Sequence, residues 1–130
     1  MTNRLYNGGE WTSARFNNFI RSALRSASIR WGPTNKARKA AEMGRKINER
    51  TGRLAMHYLC NHCQGSFVAR DVQVDHISPV VSAIDGFVDW NTYIDRMFCE
   101  QDGYQVLCKE CHNKKTAEER GQRSGNVISD

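Results

Sequence analysis

In QVLCKECHNKKT, residues 105–116, two cysteines, Cys108 and Cys111, stand two residues apart and His112 follows the second directly. Upstream, YLCNHCQGSF (residues 58–67) repeats the spacing with Cys60 and Cys63. A two-residue gap folds the backbone so that both sulfurs converge on one ion about 2.3 Å away, and two such pairs make a tetrahedral four-thiolate site for structural Zn²⁺. The second pair enters a helix, whose N-terminal partial charge favours thiolate. A redox use of Cys-x-x-Cys would need a thioredoxin-like βαβ context, and none is visible. Binding a structural zinc contributes on the order of 10–16 kcal/mol to folding, which suits a polar segment with a thin core.

If four sulfurs satisfy the zinc, His112 is free for other chemistry. The remaining conspicuous pair is Asp75-His76 in VQVDHISPV (residues 72–80). The alternation there predicts a strand that ends at Pro79. YQVLC (104–108) predicts a second strand, and KECHNKKTAEERGQR (109–123) a helix. Adjacent strand residues point to opposite sides, so Asp75 and His76 flank a cleft rather than share a direction. The assembly expected is two strands and a helix stapled by zinc. Asp75 and His112 would meet at a second metal position suited to Mg²⁺, Mn²⁺ or a similar divalent ion. His76 would lie beside it, placed to take a proton from water. Free imidazole titrates near 6.5, so a histidine base predicts activity that falls at acid pH.

The charge is unevenly placed. Residues 1–59 hold twelve Lys/Arg against three Asp/Glu, and residues 60–130 hold seven against eleven, for a net of +5 over the 130 residues. A basic half suited to gripping a polyanion precedes an acidic half suited to holding a cation. Residues 1–11 read as loose. From a cap at Thr12 or Ser13 a helix is expected to Trp31, with Phe16, Phe19, Ile20, Ala23, Leu24, Ala27 and Trp31 at spacings of three and four. The sequence WGP breaks it. TNKARKAAEMGRKINER (34–50) is expected as a second helix, with Lys36, Arg38, Lys39, Arg45, Lys46 and Arg50 nearly all round it, a surface for lying along phosphates. DWNTYIDRMF (89–98) predicts a short helix capped by Asp89, its aromatic residues forming a packing face. Cys99 reads as a small half-buried apolar residue, and His57 and His62 receive no role. No apolar run long enough for a membrane span and no secretory signal are visible, so a reducing, cytoplasmic setting is expected.

VDHISPV followed by YQVLCKECHNKKT resembles the HNH endonucleases, in particular their four-cysteine, zinc-stapled branch from bacteriophage genomes. The resemblance covers roughly residues 57–119, and SALRSASIRW is similar, more loosely, to an extension of phage members. It implies an α+β fold: a small ββα-metal core (His-Me finger, treble-clef-like) with a structural zinc, preceded by a basic helical extension. The implied organisation is 1–56 as a DNA-binding extension, 57–120 as the nuclease domain and 121–130 as a tail. The implied activity is metal-dependent hydrolysis of DNA phosphodiester bonds, nicking one strand or cutting both, leaving 5′-phosphate and 3′-hydroxyl ends. His76 would be the general base, Asp75 and His112 the ligands of the catalytic ion, and Cys60, Cys63, Cys108 and Cys111 the ligands of zinc. Lys114 and Lys115 join the basic residues of 36–50 as phosphate contacts. Partners would be DNA, and beyond it a second copy or phage packaging proteins; the setting would be the host cytoplasm if the chain is phage-encoded. The family's middle Asn is replaced by Gly103, which removes the side chain credited with bracing the loop of the base. Two other readings remain open: a zinc-stapled module that only binds, and a nuclease acting on RNA.

Overall fold

The computed structural model describes the backbone of residues 4–128 and the side-chain surroundings of residues 5–122. Two units are distinct: Met1–Trp31 and Gly32–Asp130. In the first, the expected loose start is a small hairpin, β1 (Arg4–Tyr6) paired with β2 (Trp11–Thr12). Thr12 then caps α1 (Ser13–Ser28), its hydroxyl accepting from the Arg15 N–H at 3.2 Å. Tyr6 stacks on Phe16 with ring centroids 4.1 Å apart, and Trp11 meets Phe19 edge-on. The apolar stripe of the helix thus covers its own hairpin.

The second unit begins with α2 (Gly32–Ala40), with Pro33 in its first turn as WGP predicts. The helix expected to run on to residue 50 stops at Ala40. Residues Glu42–Ile47 are instead strand β3, antiparallel to β4 (Leu54–Leu59), which pairs in turn with β5 (Ser66–Val68). Gly44 explains much of this correction. In a helix interior it would cost about 1 kcal/mol relative to Ala. Here it takes φ 110°, where glycine alone is unstrained, and the register shifts at that point as a bulge. The hairpin closes with Asn48 N–H on the Arg53 carbonyl at 2.8 Å. Strand pairing with LAMHYL therefore overrides a local pattern that reads as helix. The boundary expected between 56 and 57 falls inside β4.

β6 (Val72–His76) and β7 (Tyr104–Cys108) form a separate antiparallel pair, with Asp75 opposite Gln105 and His76 opposite Tyr104. Between them lies α3 (Trp90–Met97), capped by Asp89, whose carboxylate accepts the Thr92 N–H at 2.7 Å; Tyr93 and Met97 are its buried face. That bond and the Thr92 hydroxyl hold the Asp89 carboxyl below its ordinary range. β7 runs directly into α4 (Lys109–Ile128). The tail expected from 121 is helical as far as 128, and 129–130 lie outside the described residues. The core is small. One cluster joins Tyr58, Val72 and Val106, and another consists of Leu107 with three of the cysteines. Among the described residues no helix is long and apolar enough to cross a membrane.

Candidate functional site

The four cysteines converge. Cys60 and Cys63 lie on the turn between β4 and β5, Cys108 ends β7 and Cys111 lies in the first turn of α4, with all four sulfurs within 4.8 Å of one another. The cluster can hold one metal ion. Cys60, Cys108 and Cys111 are buried, with Leu107 among them and Phe67 packed alongside. The first turn is closed by Cys60 N–H on the Gly65 carbonyl and Gln64 N–H on the Cys60 carbonyl, both at 2.9 Å. Burial pushes the Cys60 thiol up, but backbone N–H groups of Cys108, Cys63 and His62 outweigh it and hold Cys60 at about 6. Cys111 is pushed up to about 12 by burial first and then by the neighbouring sulfurs. A cation entering the cluster must displace the Cys111 proton, so metal binding there is coupled to proton release. His62, to which the sequence assigns no role, is exposed, and its Nδ1 approaches the Cys111 sulfur at 3.5 Å.

Asp75 and His112 also meet. Asp75 sits one residue before the end of β6 and His112 in the first turn of α4, and β7 carries the chain between them. His112 Nε2 lies 3.8 Å from Asp75 Oδ1. That is too long for a hydrogen bond. It is within the roughly 4.2 Å that two ligands of one small divalent ion, each about 2.1 Å from it, can span. His112 Nδ1 is buried with no hydrogen-bond partner among the described residues. Leaving a buried polar atom unpaired costs about 1–3 kcal/mol. A ring with neither nitrogen in a hydrogen bond, facing a carboxylate oxygen, fits a divalent-ion ligand.

His76 is anchored beside this pair. Its Nε2 lies 2.8 Å from the carbonyl of Met97, the last residue of α3. A carbonyl only accepts, so Nε2 carries the proton and Nδ1 is left as the basic nitrogen. The same carbonyl accepts the Tyr104 hydroxyl at 2.8 Å, and the Tyr104 ring packs 4.8 Å from the imidazole. The next residue, Ile77, donates its N–H to the Gly103 carbonyl at 2.9 Å. Backbone therefore braces this loop at Gly103, where a side chain was expected to be missed. A Cβ at 103 would lie 2.5 Å from the Cys99 sulfur, so the close packing there demands glycine.

Three contacts to the site were not foreseen. Lys115 Nζ bonds Asp75 Oδ2 at 2.6 Å and the His76 carbonyl at 2.5 Å, with Glu119 at 3.5 Å. Gln105 Nε2 donates to the same Oδ2 at 3.3 Å. Asn61, inside the first cysteine turn, donates to Gln105 Oε1 at 2.9 Å. The basic residues expected on one helix are spread over three elements: Lys36, Arg38 and Lys39 on α2, Arg45 and Lys46 on β3, and Arg50 in the turn after it. All but Arg38 are exposed, and Arg38 lies over the Tyr58 ring at 5.8 Å. Arg50 lies 3.9 Å from Asp71, and Lys114 pairs with Glu110 on its own helix.

The chain is 42% identical over 59 residues to a protein described as a probable HNH endonuclease of Lactococcus phage SK1. The match covers 45% of this chain and 54% of that protein, so the chain spans about half the length of the curated relative it matches. No family model matches the chain, and no solved structure does.

Proposed function

We propose that the protein is a metal-dependent DNA endonuclease of the HNH type, built on a ββα-metal core (β6, β7 and α4) with zinc held by Cys60, Cys63, Cys108 and Cys111. The convergence of Asp75 Oδ1 and His112 Nε2 beside an anchored His76 carries this reading. The similarity to a probable HNH endonuclease supports it. Asp75 and His112 would hold Mg²⁺, Mn²⁺ or a similar ion. That ion, when bound, stabilises charge on the phosphorane and on the departing 3′ oxygen. His76 Nδ1 takes the proton of the attacking water, while the Met97 carbonyl keeps the ring in the required tautomer and orientation. The products are a 5′-phosphate and a 3′-hydroxyl. The exposed Lys36, Lys39, Arg45, Lys46, Arg50 and Lys114 supply phosphate contacts, which position the duplex without reading its sequence.

One observation favours a different reading: Lys115 already neutralises Asp75, as it would in a module that only binds nucleic acid. Plasmid nicking separates the two. Supercoiled DNA is expected to be converted to nicked or linear forms when Mg²⁺ or Mn²⁺ is supplied and to persist when it is omitted. His112→Ala, with its zinc content intact, should lose roughly 10²-fold or more, the loss of a few kcal/mol of charge stabilisation. Supercoiled DNA that persists with every divalent ion makes the protein a binder.

A further inference from the structure

We propose that Lys115 and Gln105 clamp Asp75 so that it offers a single oxygen to the divalent ion, and that this clamp selects small six-coordinate cations over Ca²⁺. The inference rests on the reading of Asp75 and His112 as the divalent-ion site.

The two oxygens of Asp75 have different surroundings. Oδ2 accepts Lys115 Nζ at 2.6 Å and Gln105 Nε2 at 3.3 Å, whereas Oδ1 faces His112. Neither donor is loosely placed. Gln105 stands directly across the β6–β7 ladder from Asp75, and its Oε1 is taken by Asn61, so its amide can present only its N–H₂ to the carboxylate. Asn61 is itself fixed by its backbone N–H on the Val106 carbonyl at 2.8 Å. Lys115 lies three residues after His112 on the same face of α4, with the His76 carbonyl and Glu119 as its further acceptors. Lys115 and Asp75 are mostly buried, their side chains 24% and 16% exposed. The carboxylate is therefore held in one rotation, with Oδ2 occupied.

Coordination chemistry gives this a consequence. Ca²⁺ takes six to eight oxygens at about 2.3–2.6 Å and commonly draws both oxygens of a carboxylate. Mg²⁺ prefers octahedral geometry at about 2.0–2.1 Å, with one or two carboxylates and retained waters. Mn²⁺ accepts a mixed oxygen and imidazole set. An Asp locked to one oxygen, paired with an imidazole, suits these smaller ions and denies Ca²⁺ the second oxygen. The positive charge of Lys115 also weakens every divalent ion, but it weakens them alike and leaves their ratio unchanged.

The test is titration of Mn²⁺ and Ca²⁺ into the zinc-loaded full chain by calorimetry, comparing wild type, Lys115→Met, Gln105→Leu and His112→Ala. Lys115→Met should raise Ca²⁺ affinity relative to Mn²⁺ by about 10-fold, the lower end of what outer contacts to a metal ligand govern. Gln105→Leu changes no charge, so any rise in that ratio reports the clamp directly; a several-fold rise is expected. Should Gln105→Leu fail to fold, by zinc content and circular dichroism, Lys115→Met decides alone. A ratio unmoved in the folded variants overturns the clamp, while a Mn²⁺ affinity that His112→Ala leaves intact overturns the metal site itself.

Discussion

The cysteine cluster, which can hold a metal ion, and the Asp75–His112 pair, which we propose as a second cation site, differ in design within one unit. The first draws four sulfurs from two turns of identical spacing, seals three of them in the core and can fill an ion's coordination with protein atoms alone. The second sets one side chain from a strand and one from a helix 3.8 Å apart, and as proposed it would leave most of an ion's coordination to water and substrate. Closed sites fold proteins, and open sites do chemistry. The closed site also builds the open one. β7 ends on Cys108 and α4 begins at once with Lys109, so His112 is aimed by the same turn that carries Cys108 and Cys111. Asn61 extends the link through Gln105 to Asp75.

Breaking the closed site should therefore cost both. Cys108→Ser is expected to abolish metal binding at the cluster and unfold the unit from Gly32 onward, since the core clusters are small and a structural zinc contributes on the order of 10 kcal/mol. Circular dichroism and bound-metal analysis check this. A variant that melts as wild type without zinc would show that packing, not metal, holds the fold. Breaking the open site should leave the closed one untouched. His76→Ala is expected to lower plasmid cleavage by roughly 10²–10⁴-fold, with zinc content unchanged and the protein still folded by circular dichroism. Cleavage at the normal rate would remove His76 from the reaction.

The closed site was legible because its information is local. Two Cys-x-x-Cys pairs state their geometry in four residues each, and the strand–strand–helix order around them follows from alternation and from a helix start. Asp75, His76 and His112 could be singled out for similar reasons. What held them could not. Gln105 reaches Asp75 only because the β6–β7 register sets them opposite, and Lys115 reaches it only because α4 emerges at one angle from the cysteine turn. The Met97 carbonyl that orients His76 belongs to backbone, and backbone partners carry no side-chain signal. The misread segment was 42–47. Its Glu, Met, Arg and Lys favour helix, and only pairing with 54–59 and the bulge at Gly44 make it a strand.

The same difference bears on the proposed phosphate contacts of β3. In a helix polar all round, the basic residues of 34–50 would have shared one continuous phosphate-facing surface. In β3, Arg45 and Lys46 are neighbours on a strand and point to opposite faces of the sheet. A duplex laid against one face meets one of them and not the other. Each phosphate contact contributes about 0.9 to the slope of log affinity against log salt concentration. Exactly one of Arg45→Ala and Lys46→Ala should then flatten that slope by roughly one, with the other near wild type, as measured by fluorescence anisotropy over a salt series. Equal losses in both would mean that DNA lies along the β3 edge, where both side chains can reach it. No loss in either would leave Lys46 and Arg45 with the role that charged residues on an edge strand commonly play, keeping the unpaired backbone of β3 from recruiting another chain.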